Sequence, residues 1–386
     1  MINAMSPEEF SIWSAFRQDL HRYPEISGEE EQTALRISEK LKTLGPSQIL
    51  TGLGGHGVAA VFESGCAGPT VLFRAELDAL LINELNDLPY ASRIVGKGHL
   101  CGHDGHMTML LAFGQMLAKK PVARGRVVLM FQPAEEDGSG ARSVVADPAF
   151  AAIHPDWAFA IHNLPGRPIG TVGIRSGLIN CASRGLSIKL TGITAHAADP
   201  ETGISPVATV SELLSSLTML GQGGAMVHGF RMVTITHVGI GEPTFGIAPA
   251  DARMCVTLRT TSDDSLDRLT SEACALVSRV ADGAGLTSQV EICDDFAASV
   301  NDPVAVDVAM RAMDRLGISH DKNGLPMRAS EDFGVFGQKA KAAMLCLGSG
   351  VDGPALHNPD YDFKDELIPV GAALFDQIAR DLVGSA

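Results

Sequence analysis

The chain lacks long apolar segments. None of its 386 residues lies in a run that approaches the roughly 20 apolar residues of a membrane-spanning helix. Its first residues, MINAMSPEEFSIW, also lack the basic segment and the apolar core that together form a secretory signal. We therefore expect a cytoplasmic protein that has no membrane partner.

Positive charge is scarce as well. The 30 Lys and Arg residues are outnumbered by 45 Asp and Glu residues, which gives a formal net charge of −15, and no basic cluster stands out from this background. Because nucleic acids are polyanions, this balance excludes a nucleic-acid partner. The 45% of hydrophobic residues indicates a globular protein that is long enough for two domains with large buried cores.

The seven cysteines are scattered and include no Cys-x-x-Cys pair. An odd, unpatterned set excludes a disulfide framework, and the missing pairs exclude a structural zinc ribbon. Cys101 differs from the others because it lies in the segment HLCGHDGH, among three histidines and an aspartate. This packet favours a metal site completed by distant ligands over a loop whose thiol and imidazoles only pack or form hydrogen bonds.

Three apolar segments predict strands that each lead to a potential metal ligand. Glu135 and Glu136 follow RVVLMFQPA. DWAFAIHN contains His162, and AAMLCLGSG precedes His357. Open α/β sheets place their sites at the carboxyl ends of strands. We therefore expect these side chains to meet the Cys101 packet in an α/β domain with a central, largely parallel sheet flanked by helices.

The number of potential ligands indicates two ions rather than one. A catalytic zinc that keeps a position open for substrate needs fewer protein ligands than the candidates present, which are Cys101, His103, Glu136, His162 and His357. Two ions that share the Cys101 thiolate accommodate them all, and thiolate with imidazole suits Zn²⁺ or Co²⁺. The helix predicted just after Cys101 favours this thiolate, because a helix N-terminus lowers the pKa of a thiol.

Glu135 is left beside the ions, where it can act as a general base. The alternative is that the two adjacent glutamates form an ordinary solvated strand end. Earlier in the chain, Arg74, Glu76 and Asp78 interrupt an otherwise apolar strand. We expect them to be paired and to support the metal ligands, with a solvated strand end or a direct ligand role as the alternatives.

Residues 182–294 have a different pattern from the rest of the chain. Their predicted order of strand, helix, strand, strand, helix, strand is that of a ferredoxin-like α+β domain. We expect this smaller satellite domain to be inserted into a catalytic, metal-binding domain formed by residues 1–181 and 295–386.

Nine short motifs carry a resemblance to a known family. In chain order they are LHRYPEISGEE, LFRAELDAL, CGHDGH, FQPAEE, IHN, TAHAADPETG with SP, GIAPADA with LRT, SEDF and LH. Over nearly the whole chain they resemble the binuclear-metal amidohydrolases that include aminoacylase, hippurate hydrolase and the auxin-conjugate hydrolases. The resemblance implies metal-dependent hydrolysis of a small-molecule N-acyl amino acid to an amino acid and a carboxylic acid. It further implies a homodimer formed through the satellite domain.

The resemblance also implies how the metal ligands divide. Cys101 would bridge two divalent ions, which in such enzymes are zinc or often manganese, with cobalt as a further option. His103 and His162 would complete one site, and Glu136 and His357 the other.

Further residues take roles from the same resemblance. Glu135 corresponds to the acid/base. His196 corresponds to a histidine that stabilises the oxyanion, often from the partner subunit, and Arg259 to a position that helps to hold the substrate carboxylate. Asp104 is then expected to orient a ligand, and His106 to lie behind the ligands or to pack.

The chain departs from the family pattern at two places. It reads Gly246-Ile247-Ala248-Pro249 where many relatives have Asn-Val-Ile-Pro, and Leu81 stands where proline is usual. Because such loops line substrate pockets, the preferred acyl group and amino acid stay open. A dipeptidase or carboxypeptidase on the same metal centre is the first alternative. A non-catalytic small-molecule binding protein, or an enzyme with a nucleophilic thiol, fits the intact ligand set less well.

Overall fold

The computed structural model describes residues 5–386 and divides them between two units. The first unit comprises the described residues up to Ile179 together with Ser299–Leu325 and Asp332–Ala386, and the second comprises Asn180–Ala298 and Pro326–Glu331. The first unit is therefore assembled from separate segments of chain, and part of it follows the second unit in sequence. Among the described residues, no helix combines the length and the apolar character needed to cross a membrane.

Helices and strands alternate through much of the described chain. The helices are α1 (Pro7–Arg22), α2 (Glu31–Lys42), α3 (His103–Lys119), α4 (Gly140–Ala146), α5 (Val207–Met219), α6 (Asp263–Gly283), α7 (Pro303–Leu316) and α8 (Ile368–Val383). The strands are β1 (Gln48–Leu53), β2 (Gly57–Glu63), β3 (Thr70–Glu76), β4 (Arg126–Gln132), β5 (Trp157–Leu164), β6 (Val172–Gly173), β7 (Gly177–Asn180), β8 (Ala182–Thr191), β9 (Ala195–His196), β10 (Arg231–Ile240), β11 (Ile247–Ala248), β12 (Asp251–Thr260), β13 (Thr287–Phe296), β14 (Ser299–Asn301), β15 (His320–Asp321) and β16 (Lys341–Gly348).

The first unit is built on an eight-stranded sheet with the strand order β1-β2-β4-β3-β5-β16-β6-β15. The neighbouring strands β4, β3, β5 and β16 run parallel, whereas β2 is antiparallel to both β1 and β4. Strands β3 and β4 are buried along almost their whole length, as expected of strands that are covered on both faces. The predicted α/β architecture, with a central and largely parallel sheet flanked by helices, is confirmed.

Helices α3 and α8 pack against the centre of this sheet. The ring of Phe73 in β3 makes edge-to-face contacts with Phe113 of α3 and Phe375 of α8, at centroid distances of 4.9 and 5.1 Å. The turn that starts α3 requires glycine, because Gly102 has a φ of 92° and a Cβ there would lie 2.3 Å from Asn163 Oδ1. The chain can therefore enter α3 closely against β5.

The second unit contains a four-stranded antiparallel sheet with the order β10-β12-β8-β13. Alternate residues of β12, such as Met254 and Leu258, are buried in one apolar cluster with Leu213 of α5 and Leu269 of α6. The period of two in burial shows that one face of the sheet carries both helices. The longer elements of the second unit follow the order strand, helix, strand, strand, helix, strand, which is that of a ferredoxin-like domain.

Candidate metal centre

The candidate ligands meet at the carboxyl edge of the parallel strands in the first unit. Glu135 and Glu136 lie just after β4, and His162 lies near the end of β5. His357 lies in the loop that follows β16, and His103 is the first residue of α3. Because β4, β5 and β16 run in the same direction, their carboxyl ends lie on one side of the sheet.

Two of the groups of side chains that could hold an ion share one cysteine. The first group is Cys101, His103 and His162, and the second is Cys101, Glu136 and His357; within each group the atoms all lie within 4.8 Å of one another. Cys101 Sγ lies 3.5 Å from His162 Nε2, and Glu136 Oε2 lies 3.5 Å from His357 Nε2. Two such groups could hold two metal ions bridged by one thiolate.

The surroundings of His103 show that a cation fits this place. Its Nδ1–H donates to the carbonyl oxygen of Asp78 at 2.9 Å, which turns Nε2 towards the ligand groups. Nε2 is buried, makes no hydrogen bond, and lies 3.8 Å from carboxylate oxygens of both Glu135 and Glu136. A buried imidazole nitrogen facing two carboxylates is stabilised by a positive charge placed between them.

The pKa values of the two histidines in the first group are shifted in opposite directions. Burial opposes a charged imidazole, but the hydrogen bond to Asp78 and the negative charges of Glu76 and Glu136 outweigh it and raise the pKa of His103 to about 10. At His162 burial dominates and lowers the pKa to about 3. His162 is therefore the neutral imidazole that a metal requires, and His103 competes for either a proton or a metal ion.

The expectation that the start of α3 favours a Cys101 thiolate is wrong. Burial, together with the negative charges of Glu136 and Glu135, raises the pKa of Cys101 well above its usual range. A helix terminus contributes about 0.3–1 kcal/mol near a charge, which is smaller than the cost of burying a thiolate among carboxylates. A thiolate at this position therefore requires a bound cation, and the metal-free thiol is a poor nucleophile.

Two residues at this edge have a left-handed backbone conformation that favours glycine. Ala134, which precedes Glu135, has a φ of 50°, and His357 has a φ of 66°. In residues other than glycine such conformations cost roughly 1–3 kcal/mol and persist where surrounding contacts hold them. The chain is thus held in a strained form both before the glutamate pair and at the last histidine.

The expected pairing of Arg74, Glu76 and Asp78 is seen, because all three side chains are buried and have charged or hydrogen-bonding partners. Glu76 accepts a hydrogen bond from His106 Nδ1 at 2.7 Å and forms an ion pair with Arg74. The Asp78 carboxylate lies 3.4 Å from His103 Nδ1 and accepts a hydrogen bond from the backbone N–H of Glu136 at 2.9 Å. A single carboxylate therefore contacts members of both ligand groups.

Asp104 has different partners from the expected ones. Its Oδ2 accepts hydrogen bonds from His21 Nδ1 at 2.8 Å and from Arg17 Nη1 at 3.2 Å. Burial opposes ionisation, but the hydrogen bond and charge of His21 together with the charge of Arg17 hold the pKa of Asp104 far below its usual range. Asp104 therefore joins α1 to the start of α3, rather than orienting a ligand as the sequence predicted.

Two buried residues around the ligands, Asn163 and Tyr361, are not among the predicted ones. His162 Nδ1 donates to the carbonyl oxygen of Asn163 at 2.7 Å, and the Asn163 backbone N–H donates to His106 Nε2 at 3.0 Å. The Asn163 amide group donates to the Tyr361 hydroxyl at 2.6 Å. The position of Asn163 directly after His162 was a usable signal, whereas Tyr361 is 198 residues away and no local pattern points to it.

His196 and Arg259 lie in the second unit and belong to neither ligand group. His196 is exposed on β9 and pairs with Ile247 of β11, next to the departure from the family pattern at Gly246. Its Nδ1 accepts a hydrogen bond from a backbone N–H two residues later at 3.0 Å. Arg259 lies on β12, and its Nη1 donates to the carbonyl oxygen of Arg328 at 2.8 Å.

Comparison with known proteins gives matches along nearly the whole chain. The model of Peptidase family M20/M25/M40 matches residues 72–381. Hippurate hydrolase of Campylobacter jejuni is 30% identical over 382 residues, which cover 97% of this chain and 98% of the relative. N-acetylcysteine deacetylase of Bacillus subtilis is 28% identical over 370 residues, or 94% of each chain.

The fold is also shared with solved structures. A dinuclear metal binding peptidase of the M20 family from Bacillus subtilis superposes with a TM-score of 0.78 at 26% sequence identity. The superposition covers 98% of this chain and 99% of that one. Both units of the chain therefore have counterparts in that structure.

Replacing Asp78 by Asn should weaken metal binding. The change keeps the size of the side chain but removes the charge beside His103, and we expect the affinity for Zn²⁺ to fall about 10- to 100-fold. Competition with a chromophoric chelator measures this affinity. Asp87→Asn makes the same chemical change in an exposed loop and serves as the control. Equal affinities of the two variants would contradict the supporting role of Asp78.

Proposed function

We propose that this chain, which belongs to Peptidase family M20/M25/M40, has N-acyl amino acids as the substrates of its metal-dependent amide hydrolysis. The products are the free amino acid and a carboxylic acid. The observation that carries the proposal is the pair of ligand groups sharing Cys101, with the Glu135 carboxylate beside them. Relatives named for hippurate hydrolysis and for N-acetylcysteine deacetylation support this class of substrate.

The proposed ligands are those that the sequence predicted. Cys101, His103 and His162 would hold one ion, and Cys101, Glu136 and His357 would hold the other. Zinc, manganese and cobalt all suit this mixture of thiolate, imidazole and carboxylate. Such ions polarise an amide carbonyl and lower the pKa of a bound water molecule.

Glu135 is the proposed acid/base. The residue is only 5% exposed, and one carboxylate oxygen lies 3.8 Å from His103 Nε2, so it borders the ligand groups without belonging to the proposed ligands. In the proposed reaction Glu135 accepts a proton from the attacking water molecule. It then gives this proton to the amide nitrogen as the bond between carbon and nitrogen breaks. Glu135 is thereby returned to its starting state.

His196 and Arg259 are proposed to contact the substrate. Because His196 Nδ1 accepts a hydrogen bond, a neutral ring carries its proton on Nε2 and can donate it to an oxyanion. Arg259 has one nitrogen bound to the carbonyl of Arg328, and its remaining N–H groups suit the substrate carboxylate.

A substrate panel tests the proposed class. Metal-free protein is refilled with zinc, manganese or cobalt and assayed on N-acetyl amino acids, N-benzoyl amino acids and dipeptides. We expect kcat/KM for an N-acyl amino acid to exceed that for the corresponding dipeptide by at least about tenfold, with no activity in the metal-free protein. Preference for dipeptides would indicate a dipeptidase or carboxypeptidase instead. Turnover that survives exhaustive chelation would overturn metal dependence and restore the thiol mechanism.

The two adjacent glutamates should respond differently to the same substitution. Glu135→Gln should lower kcat by about 10²- to 10⁴-fold because proton transfer is lost, while two ions stay bound. Glu136→Gln should instead lower the metal content, since it removes a ligand. Steady-state kinetics and elemental analysis of each purified variant measure these effects. Full turnover in a metal-replete Glu135→Ala protein is incompatible with its proposed role.

Substitutions in the second unit should separate catalysis from binding. His196→Ala should lower kcat by about 10²- to 10³-fold with little change in KM, as when an oxyanion donor is lost. Arg259→Met should raise KM about tenfold or more, because a charged hydrogen bond is removed. Arg253→Met, on the exposed face of β12, is the matched control. If Arg259→Met binds substrate as well as this control does, Arg259 does not hold the carboxylate.

A further inference from the structure

Buried carboxylates hold the backbone on both sides of Glu135. The N–H of Ala134, which has the left-handed φ of 50°, donates to Glu30 Oε1 at 2.8 Å. The N–H of Glu136 donates to Asp78 Oδ2 at 2.9 Å. Glu135 is therefore placed between two peptide groups whose N–H bonds both end on fixed acceptors.

Glu30 occupies the N-cap position of α2, but its side chain does not cap that helix. It is fully buried, and Oε1 also accepts a hydrogen bond from the N–H of Gly28 at 2.9 Å. Oε2 is buried and makes no hydrogen bond, and burial raises the pKa of this carboxyl group. Burying a carboxyl group with an unpaired oxygen costs free energy. Helix capping does not explain the position of Glu30, because its side chain makes no cap hydrogen bond.

Glu25 supplies the helix cap that Glu30 does not. Its carboxylate accepts hydrogen bonds from the backbone N–H of Gln32 at 3.2 Å and of Thr33 at 2.7 Å. It also accepts one from the Thr33 hydroxyl at 2.8 Å. The two glutamates therefore have separate tasks: one stabilises the start of α2, and the other reaches Ala134.

We propose that Glu30 is a positioning residue, which holds the Ala134 peptide group in its left-handed conformation and thereby sets where the Glu135 carboxylate lies. The inference rests on the proposed function, in which Glu135 moves the proton. Proton transfer requires heavy-atom distances of about 2.6–3.2 Å, and a displacement of about 1 Å can lower a rate about a hundredfold.

A second contact connects the same segment to the other side of Glu135. The hydroxyl of Ser27 donates to Asp78 Oδ2 at 2.8 Å, the same oxygen that accepts the Glu136 N–H. Residues 27–30 therefore act on both flanks of Glu135, at Ala134 directly and at Glu136 through Asp78. These residues lie far from Glu135 in sequence, since 104 residues separate Glu30 from Ala134.

Four variants separate positioning from folding. Glu30→Ala removes the acceptor, and Glu30→Asp keeps a carboxylate but shortens the side chain by one methylene. Aspartate is a good N-cap residue, so this second variant should fold even if the first does not. Glu30→Gln keeps both the length and an oxygen acceptor. Glu25→Ala is the matched control, since it weakens the start of α2 and leaves Ala134 bound.

Kinetics of the metal-loaded enzymes on an N-acyl amino acid test the catalytic consequence. We expect Glu30→Ala and Glu30→Asp to lower kcat about 10- to 100-fold, with KM and metal content changed by less than about threefold. Glu30→Gln should restore most of kcat, and Glu25→Ala should retain it. If kcat falls no further in the Glu30→Ala and Glu30→Asp variants than in Glu25→Ala, the inference is overturned.

Hydrogen exchange of the metal-free protein gives a readout that does not depend on activity. Peptides that cover residues 132–141 should exchange faster in Glu30→Ala and Glu30→Asp than in the wild type, but not in Glu30→Gln or Glu25→Ala. Unchanged exchange in the first two variants would also overturn the inference. A wild-type enzyme that hydrolyses no N-acyl amino acid would overturn the proposed function instead, and the exchange measurement would still decide whether Glu30 holds the turn.

Discussion

Compensation of buried negative charge is the constraint on which the first unit depends. Its sheet edge gathers more carboxylates than a protein interior tolerates without partners. Arg74 compensates Glu76 and Asp332, with its Nη2 2.5 Å from Asp332 Oδ1. Arg17 compensates Asp104, and the remaining charge near His103 is left for an ion or a proton. The negative charge that the arginines leave uncompensated at this edge is the charge that a bound cation or a proton would balance.

The grouping of the candidate ligands could be predicted from the sequence because each of these residues is marked by a local pattern. An apolar segment predicts a strand, and parallel strands share a carboxyl edge, so that Glu136, His162 and His357 were expected to meet. Cys101 and His103 are marked by their spacing at the start of α3. These signals involve only neighbouring residues, so they can be read without knowledge of the fold. The central sheet was predicted from the same kind of local signal.

Contacts between distant segments were not predictable in the same way. Asp104 accepts a hydrogen bond from His21, 83 residues earlier, and no local sequence pattern predicts this contact. The state of the Cys101 thiol was predicted wrongly for a related reason, because the helix terminus is a local signal whereas burial and the charges of two glutamates depend on the assembled site. No sequence pattern connects Glu30 with Ala134, 104 residues later, and only the hydrogen bond in the structure shows their contact.

The division of the first unit into separate chain segments has a consequence for biosynthesis. Strand β16 lies between β5 and β6 in the sheet, yet it is translated after the whole of β8–β13. A growing chain therefore carries Cys101, His103 and His162 long before His357 leaves the ribosome. During that interval the gap beside β5 exposes an unpaired strand edge. The strand that completes the centre of the sheet and the histidine that completes the second ligand group are thus both supplied by the last part of the chain to be synthesised.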